Sequence, residues 1–81
     1  MATAEHRRRR LLAVVRREGG SWTTRRCMEL YRALGWGCQR STSRHDLQLC
    51  ARRGDLIEHG PVNGRWYTAN TATRTWGGAA R

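Results

Sequence analysis

Glycines divide the chain into short stretches, and their spacing limits the possible fold more than any other feature. Gly19 and Gly20 follow the stretch AEHRRRRLLAVVRRE, and Gly35 follows RRCMELYRAL. Gly54 follows a third stretch, which begins near residues 39–41 and runs to about Arg53. Glycine is favoured at the left-handed residue just after a helix and disfavoured inside one. The spacing therefore predicts three short helices.

Caps and apolar periodicity support the first two helices. Thr3 is placed to cap the first helix, and Thr23 or Thr24 to cap the second. The residues that share one helix face are Leu11, Val14 and Val15 in the first, and Cys27, Leu30, Tyr31 and Leu34 in the second. We expect both stripes to face a common core, together with Trp22 from the extended stretch SWTT.

The third helix has a polar ridge on one side and small or medium residues on the other. The ridge, with spacing i, i+3, i+4, i+7 and i+11, consists of Ser41, Arg44, His45, Gln48 and Arg52. The opposite side consists of Ser43, Leu47, Cys50 and Ala51. The one acidic residue of this helix, Asp46, is expected at the edge of the ridge. The helix is thus suited to a polar partner outside and a thin core inside.

A β-hairpin is predicted after Gly54. DLIEH and RWYTA have the composition of short strands, and GPVNG between them is rich in turn-forming residues. Trp66, next to Tyr67, is expected to cover the core from the hairpin. Residues 70–81 are rich in Thr, Ala and Gly and are expected to form a flexible tail or a weak extra strand. The folded domain would then span residues 1–69.

The charge balance indicates a polyanionic partner. The chain carries 16 arginines, no lysine and 6 acidic residues, for a formal net charge of +10. Guanidinium groups bind phosphate oxygens and guanine edges through paired hydrogen bonds. The run from Arg7 to Arg10 would repel itself in isolation. It is either a solvated basic face or a surface that contacts DNA backbone.

Several classes of protein are not expected. Three widely spaced cysteines do not resemble a disulfide framework. The apolar run Leu11–Val15 is too short for a signal peptide or a membrane span, so we expect a cytoplasmic, nucleoid-associated protein without membrane contact. No Ser/His/Asp arrangement or phosphate-binding glycine loop has supporting context. We therefore expect no enzyme, no cofactor and no small-molecule substrate.

The order of helix, extended stretch, helix, helix, strand and strand resembles the winged helix-turn-helix family. The resemblance covers about residues 21–68 and depends most on STSRHDLQLCARRGDLI, in which a Ser/Thr-led helix is followed by Gly-x-Leu-Ile. TTRRCMELYRALG is similar to the family's threonine-capped second helix. The turn GWGCQ is longer than usual, and Cys50 stands where a larger aliphatic residue is common. The resemblance implies an α+β, mainly α fold: a three-helix winged helix-turn-helix with a C-terminal β-hairpin wing.

The resemblance also implies roles for particular residues. The third helix, about residues 40–53, would lie in the major groove of double-stranded DNA, and the wing would reach an adjacent minor groove or the backbone. Arg44 would contact guanine and Gln48 adenine, with further base contacts from His45 and Ser41. The expected backbone contacts are Arg40, Thr42, Arg52, Arg25, Arg26, Arg7, Arg8, Arg9 and Arg10. The expected wing contacts are Arg65, Asn63 and His59.

Sequence-specific DNA binding by a transcriptional regulator, as a monomer or a homodimer, is the leading interpretation. One alternative is a nonspecific or accessory DNA-binding factor of a mobile element. Another is a winged-helix module for protein–protein interaction, using Trp36, Trp66 or Trp76. A metal or thiol sensor would need Cys38, His45 and Cys50 to converge, but their spacing matches no common zinc pattern, and no metal site is expected.

Overall fold

Three helices followed by an antiparallel β-hairpin form the structure, a computed structural model that describes residues 3–37 and 39–70. The elements are α1 (Ala4–Glu18), α2 (Thr24–Ala33), α3 (Arg40–Arg52), β1 (Leu56–His59) and β2 (Trp66–Ala69). The fold is α+β and mainly α, as predicted, and its layout is compatible with a winged helix. Within the described ranges, no helix combines the length and the apolar character needed to cross a membrane.

Threonine side chains begin the first two helices. The Thr3 Oγ1 atom accepts a hydrogen bond of 3.1 Å from the backbone N–H of His6, at the start of α1. Thr23, rather than Thr24, caps α2, because its Oγ1 atom accepts a hydrogen bond of 3.2 Å from the backbone N–H of Arg26. Each bond satisfies one of the donors that a helix leaves unpaired in its first turn.

Trp22 pairs with the hairpin and joins the chain between α1 and α2 to the sheet. Its backbone N–H donates to the Tyr67 carbonyl at 2.8 Å, and the Tyr67 N–H donates to the Trp22 carbonyl at 2.7 Å. β1 pairs with β2 on the other side, with His59 opposite Trp66. β2 therefore lies between β1 and the extended stretch that the sequence predicts before α2.

All three helices and the hairpin contribute to one core. Its buried members are Leu11, Val14, Val15, Trp22, Cys27, Tyr31, Leu47, Cys50, Leu56 and Tyr67. Leu30 packs against this core and Leu34 is half-buried. The predicted core sides of the helices are therefore confirmed. Full burial of an apolar side chain of this size contributes about 1.5–3 kcal/mol, so this small set supplies most of the stabilisation.

Two predictions about single side chains are wrong. Asp46 does not lie at the edge of the exposed ridge, because its side chain is 0% exposed and binds groups from α1 and α2. Trp66 does not cover the core, because it is 37% exposed and its ring stacks on His59 with centroids 5.4 Å apart. Tyr67 takes the inward position instead, since successive residues of a strand point to opposite faces.

Most of the predicted tail or extra strand, residues 71–81, lies outside the described residues. Asn70 is described and is tied to the end of α3. Its backbone N–H donates to the Asp55 carbonyl at 3.1 Å, and its Nδ2 atom donates to the Gly54 carbonyl at 2.8 Å. These two bonds join the last strand to the segment that follows α3.

Replacing Gly60 with alanine is expected to destabilise the hairpin by about 2–5 kcal/mol. Gly60 has φ +85°, and a β-carbon there would lie 2.6 Å from Trp66 Cζ3 and 2.7 Å from the Gly64 carbonyl oxygen. The matched control is Gly35→Ala, where φ is +80° but no atom lies within 4 Å of the new carbon. Urea denaturation should show a loss of only about 1–2 kcal/mol for the control. Equal losses would mean that the contact with Trp66 adds nothing.

Candidate nucleic-acid interface

Every acidic side chain of the chain is engaged by arginine. The pairs outside the core are Glu5 with Arg9, Glu18 with Arg17 and Arg26, Glu29 with Arg25, Asp55 with Arg16, and Glu58 with Arg65. The sixth carboxylate, Asp46, is buried with Arg7 and Arg8. In residues 3–37 and 39–70, the arginines without an ion pair are Arg10, Arg32, Arg40, Arg44, Arg52 and Arg53. Positive charge without a carboxylate partner is therefore concentrated on α3 and at its end.

The buried Asp46 carboxylate joins all three helices. Its Oδ2 atom accepts hydrogen bonds from Arg7 Nε at 2.6 Å and from the Tyr31 hydroxyl at 2.7 Å. Its Oδ1 atom accepts from Arg7 Nη2 at 3.1 Å and from Arg8 Nη1 at 3.4 Å. Burial, followed by nearby negative charge, holds the pKa of Tyr31 well above its usual range, so this hydroxyl stays a donor. Asp46 thus fixes the orientation of α3 relative to α1 and α2.

The arginine run of α1 is split by this contact. The side chains of Arg7 and Arg8 are only 15% and 13% exposed, and both bind Asp46. Their predicted placement on a basic outer face is therefore corrected. Arg9 is exposed but pairs with Glu5 at 3.4 Å. Arg10 is exposed and forms no ion pair in the described part of the chain.

The predicted polar ridge of α3 faces outward. Ser41, Arg44, His45 and Arg52 are exposed, and Gln48 is half-buried. Because Asp46 points into the core, the outer face of α3 carries no carboxylate. Its cationic side chains can therefore bind an incoming anion without first leaving an acidic partner. Arg40 is also exposed and Thr42 is half-buried, both in the first turn of the helix.

A cleft brings the predicted helix and wing residues together. It lies between the start of α2, the outer face of α3 and the hairpin loop. The residues lining it include Arg25, Arg40, Arg44, Gln48, Asn63 and Arg65. The sequence suggested these residues separately, as base, backbone and wing contacts. The fold places all six around one concave surface that is rich in guanidinium groups.

Arg65 is held at the base of the hairpin. Its Nη1 atom donates to Glu58 Oε2 at 3.1 Å, and the Tyr67 hydroxyl donates to the same oxygen at 3.0 Å. The Arg65 Nε atom is buried and has no hydrogen-bond partner in the described structure. Burial, followed by the hydrogen bond to Glu58, raises the pKa of Tyr67 to about 12. Arg65 therefore keeps an unused donor beside the α3 surface.

Arg26 has a structural position that the sequence did not indicate. Its guanidinium lies 3.9 Å from the centroid of the Trp22 ring and donates to the Ser21 carbonyl at 2.9 Å. It also pairs with Glu18 at 3.1 Å. These contacts hold the connection between α1 and α2. The expected contact of Arg26 with DNA backbone would have to compete with them.

Arg32 and Arg53 are candidate contact residues that sequence reasoning missed. Arg32 lines a shallow depression with Arg25 and Arg40, next to the cleft described above. Arg53 is the residue at which α3 ends, and it is exposed. The signal that would have identified them is the absence of an acidic neighbour. That signal requires knowing which arginines the folded chain pairs with its carboxylates.

The two described cysteines are core residues. Burial raises the pKa of both Cys27 and Cys50 to about 11, so both thiols are protonated near neutral pH. His45 is exposed whereas Cys50 is 1% exposed, so these two do not converge. Cys38 lies outside the described residues. Within the described ranges, no group of three or more His, Cys, Asp or Glu residues could hold a metal ion.

Comparison with known proteins adds no identification: no protein-family model, no curated protein and no solved structure matches this chain.

Proposed function

We propose that this protein binds double-stranded DNA sequence-specifically, with the outer face of α3 in the major groove, as a cytoplasmic, nucleoid-associated transcriptional regulator. The observation that carries the proposal is the distribution of charge. All six carboxylates are paired, while Arg40, Arg44, Arg52 and Arg53 are not. Charge-assisted hydrogen bonds to phosphate or base are strong. An arginine without a carboxylate partner forms them without losing an existing pair.

The geometry supports a division of roles on this surface. Arg44 and Gln48 share the outer side of α3, where their side chains suit guanine O6 and N7 and adenine N6 and N7. Arg40, near the start of the helix, and Arg52 and Arg53, near its end, suit the phosphates on either side. A homodimer would place two such helices about 34–36 Å apart, one turn of DNA.

Selection of bound sequences from a random duplex pool, near physiological salt, tests this function. We expect enrichment of a short motif that contains guanine. Engagement of about five arginines predicts that log K falls with log salt with a slope of about −4 to −5. Binding without enrichment would favour the nonspecific accessory factor. No binding even at low salt would contradict the proposal.

A protein-interaction module is the second candidate, favoured by one observation. The large hydrophobic residues exposed in the described chain, Ile57, Val62 and Trp66, all belong to the hairpin. Trp36 is not comparably exposed, because it packs against Tyr31 with ring centroids 5.4 Å apart. Amide NMR shifts of α3 distinguish the candidates. DNA binding should move them on addition of duplex, whereas an interaction module would leave them unchanged.

A further inference from the structure

We infer that the protein contacts base edges from the major groove alone, and that its hairpin binds the phosphate strand bordering that groove through Arg65. The hairpin tip does not enter a minor groove. This inference rests on the proposed DNA binding. It replaces the expectation that the wing residues reach an adjacent minor groove.

The position of Arg65 is the first reason. Arg65 is the one arginine between Gly54 and Asn70, and it precedes β2 rather than lying at the loop tip. It lines the same cleft as Arg44 and Gln48, which face the proposed major groove. Its bond to Glu58 keeps the guanidinium there. A side chain so close to the base-contacting helix is placed for the phosphates beside that helix.

The composition and direction of the tip are the second reason. Pro61, Val62, Asn63 and Gly64 carry no charge, and Val62 is 82% exposed. Proteins that enter a narrow minor groove commonly do so with a cationic side chain, which its negative potential attracts. Val62, Asn63 and Gly64 also line the cleft with Arg44, so the tip leans towards α3. The tip has neither the charge nor the direction that a separate groove requires.

The position of His59 is the third reason. Its ring stacks on Trp66, with an interplanar angle of 14°, and its Nε2 atom lies 2.9 Å from Thr68 Oγ1. His59, Trp66 and Thr68 share the face of the hairpin opposite to Glu58 and Tyr67, because side chains alternate along a strand. Glu58 lies on the α3 side with Arg52 and Gln48. His59 therefore faces away from the surface proposed to bind DNA.

Two base analogues test the inference directly on the duplex recovered by selection. Replacing a contacted guanine with 7-deazaguanine removes the N7 acceptor in the major groove and should weaken binding about tenfold. Replacing it with inosine removes the N2 amino group in the minor groove and leaves the major-groove pattern intact. Inosine should therefore leave affinity unchanged. A loss with inosine comparable to that with 7-deazaguanine would overturn the inference.

Two hairpin variants test the role assigned to Arg65. Arg65→Gln should reduce the magnitude of the salt slope by about 1 while leaving the enriched motif unchanged, as expected for a phosphate contact. Val62→Ser, at the tip, should change neither the slope nor the motif. A motif altered by either variant, or a normal slope for Arg65→Gln, would overturn the role of the hairpin proposed above.

The outcomes separate this inference from the proposed function. Binding to duplex with no effect of either analogue, or with no enriched motif, would overturn base reading from the major groove but keep DNA binding. Absence of binding to any duplex at low salt would remove the proposed function itself, and the inference with it.

Discussion

Replacing Asp46 with alanine is expected to lower the free energy of unfolding by about 3–5 kcal/mol. The carboxylate is fully buried and accepts hydrogen bonds from Arg7, Arg8 and Tyr31. Alanine would remove this acceptor from two largely buried guanidinium groups and a buried phenol. A loss of that size is a large part of the 5–15 kcal/mol typical of a whole domain.

Urea denaturation of two further variants makes the Asp46 result specific. Asp55→Ala removes the same side chain from a partly exposed pair with Arg16 at 3.7 Å, so it should cost about 0–1 kcal/mol. Tyr31→Phe removes one of the bonds to Asp46 and should cost about 1–2 kcal/mol. If Asp46→Ala were no worse than Asp55→Ala, the buried cluster would not hold the helices together. Loss of any cooperative transition in Asp46→Ala alone would agree with the prediction.

The sequence could predict the elements because their signals are local. Thr3 and Thr23 lie three residues before the N–H groups that they bind, and Gly54 directly follows the last turn of α3. The spacing of Leu11, Val14 and Val15 is set within one helix. Each of these features is a property of a few neighbouring residues, so it can be read before the tertiary fold is known.

The sequence could not predict the partners of Asp46, because they come from distant parts of the chain. Arg7 lies 39 residues before it and Tyr31 lies 15 residues before it. A lone acidic residue beside arginines on one helix is usually solvated, since burial of an unpaired charge is costly. Only the packing of α1 against α3 supplies the two guanidinium groups that make burial possible. The same packing removes Arg7 and Arg8 from the list of simple surface contacts.

The candidate interface was predictable in part for the same reason. The ridge from Ser41 to Arg52 follows from helical spacing alone, and the structure exposes most of it. The ion-pairing state of each arginine depends on the whole fold. Arg25 and Arg65, for example, are arginines in the cleft that already hold a carboxylate, whereas Arg40 and Arg44 do not. The distinction between these two kinds of arginine leads to the second large effect.

Replacing Arg40 and Arg44 together with glutamine is expected to lower affinity for the selected duplex by at least about 100-fold. A bidentate contact to guanine contributes about 1–3 kcal/mol, and loss of a phosphate contact adds to it. The control replaces Arg9 and Arg17 with glutamine. It removes the same formal charge from exposed arginines that are paired with Glu5 and Glu18. Filter binding at several salt concentrations should show less than about a fivefold loss for this control.

The comparison of the two double variants decides whether position or total charge determines binding. Total charge acts through long-range attraction, which 0.15 M salt screens beyond about 8 Å. If attraction of that kind dominated, the two variants would lose affinity equally and the enriched motif would stay the same. If α3 occupies the groove, loss of Arg40 and Arg44 should reduce both the salt slope and the preference for guanine. Equal losses would therefore leave a basic protein that binds polyanions, with no particular role for the outer face of α3.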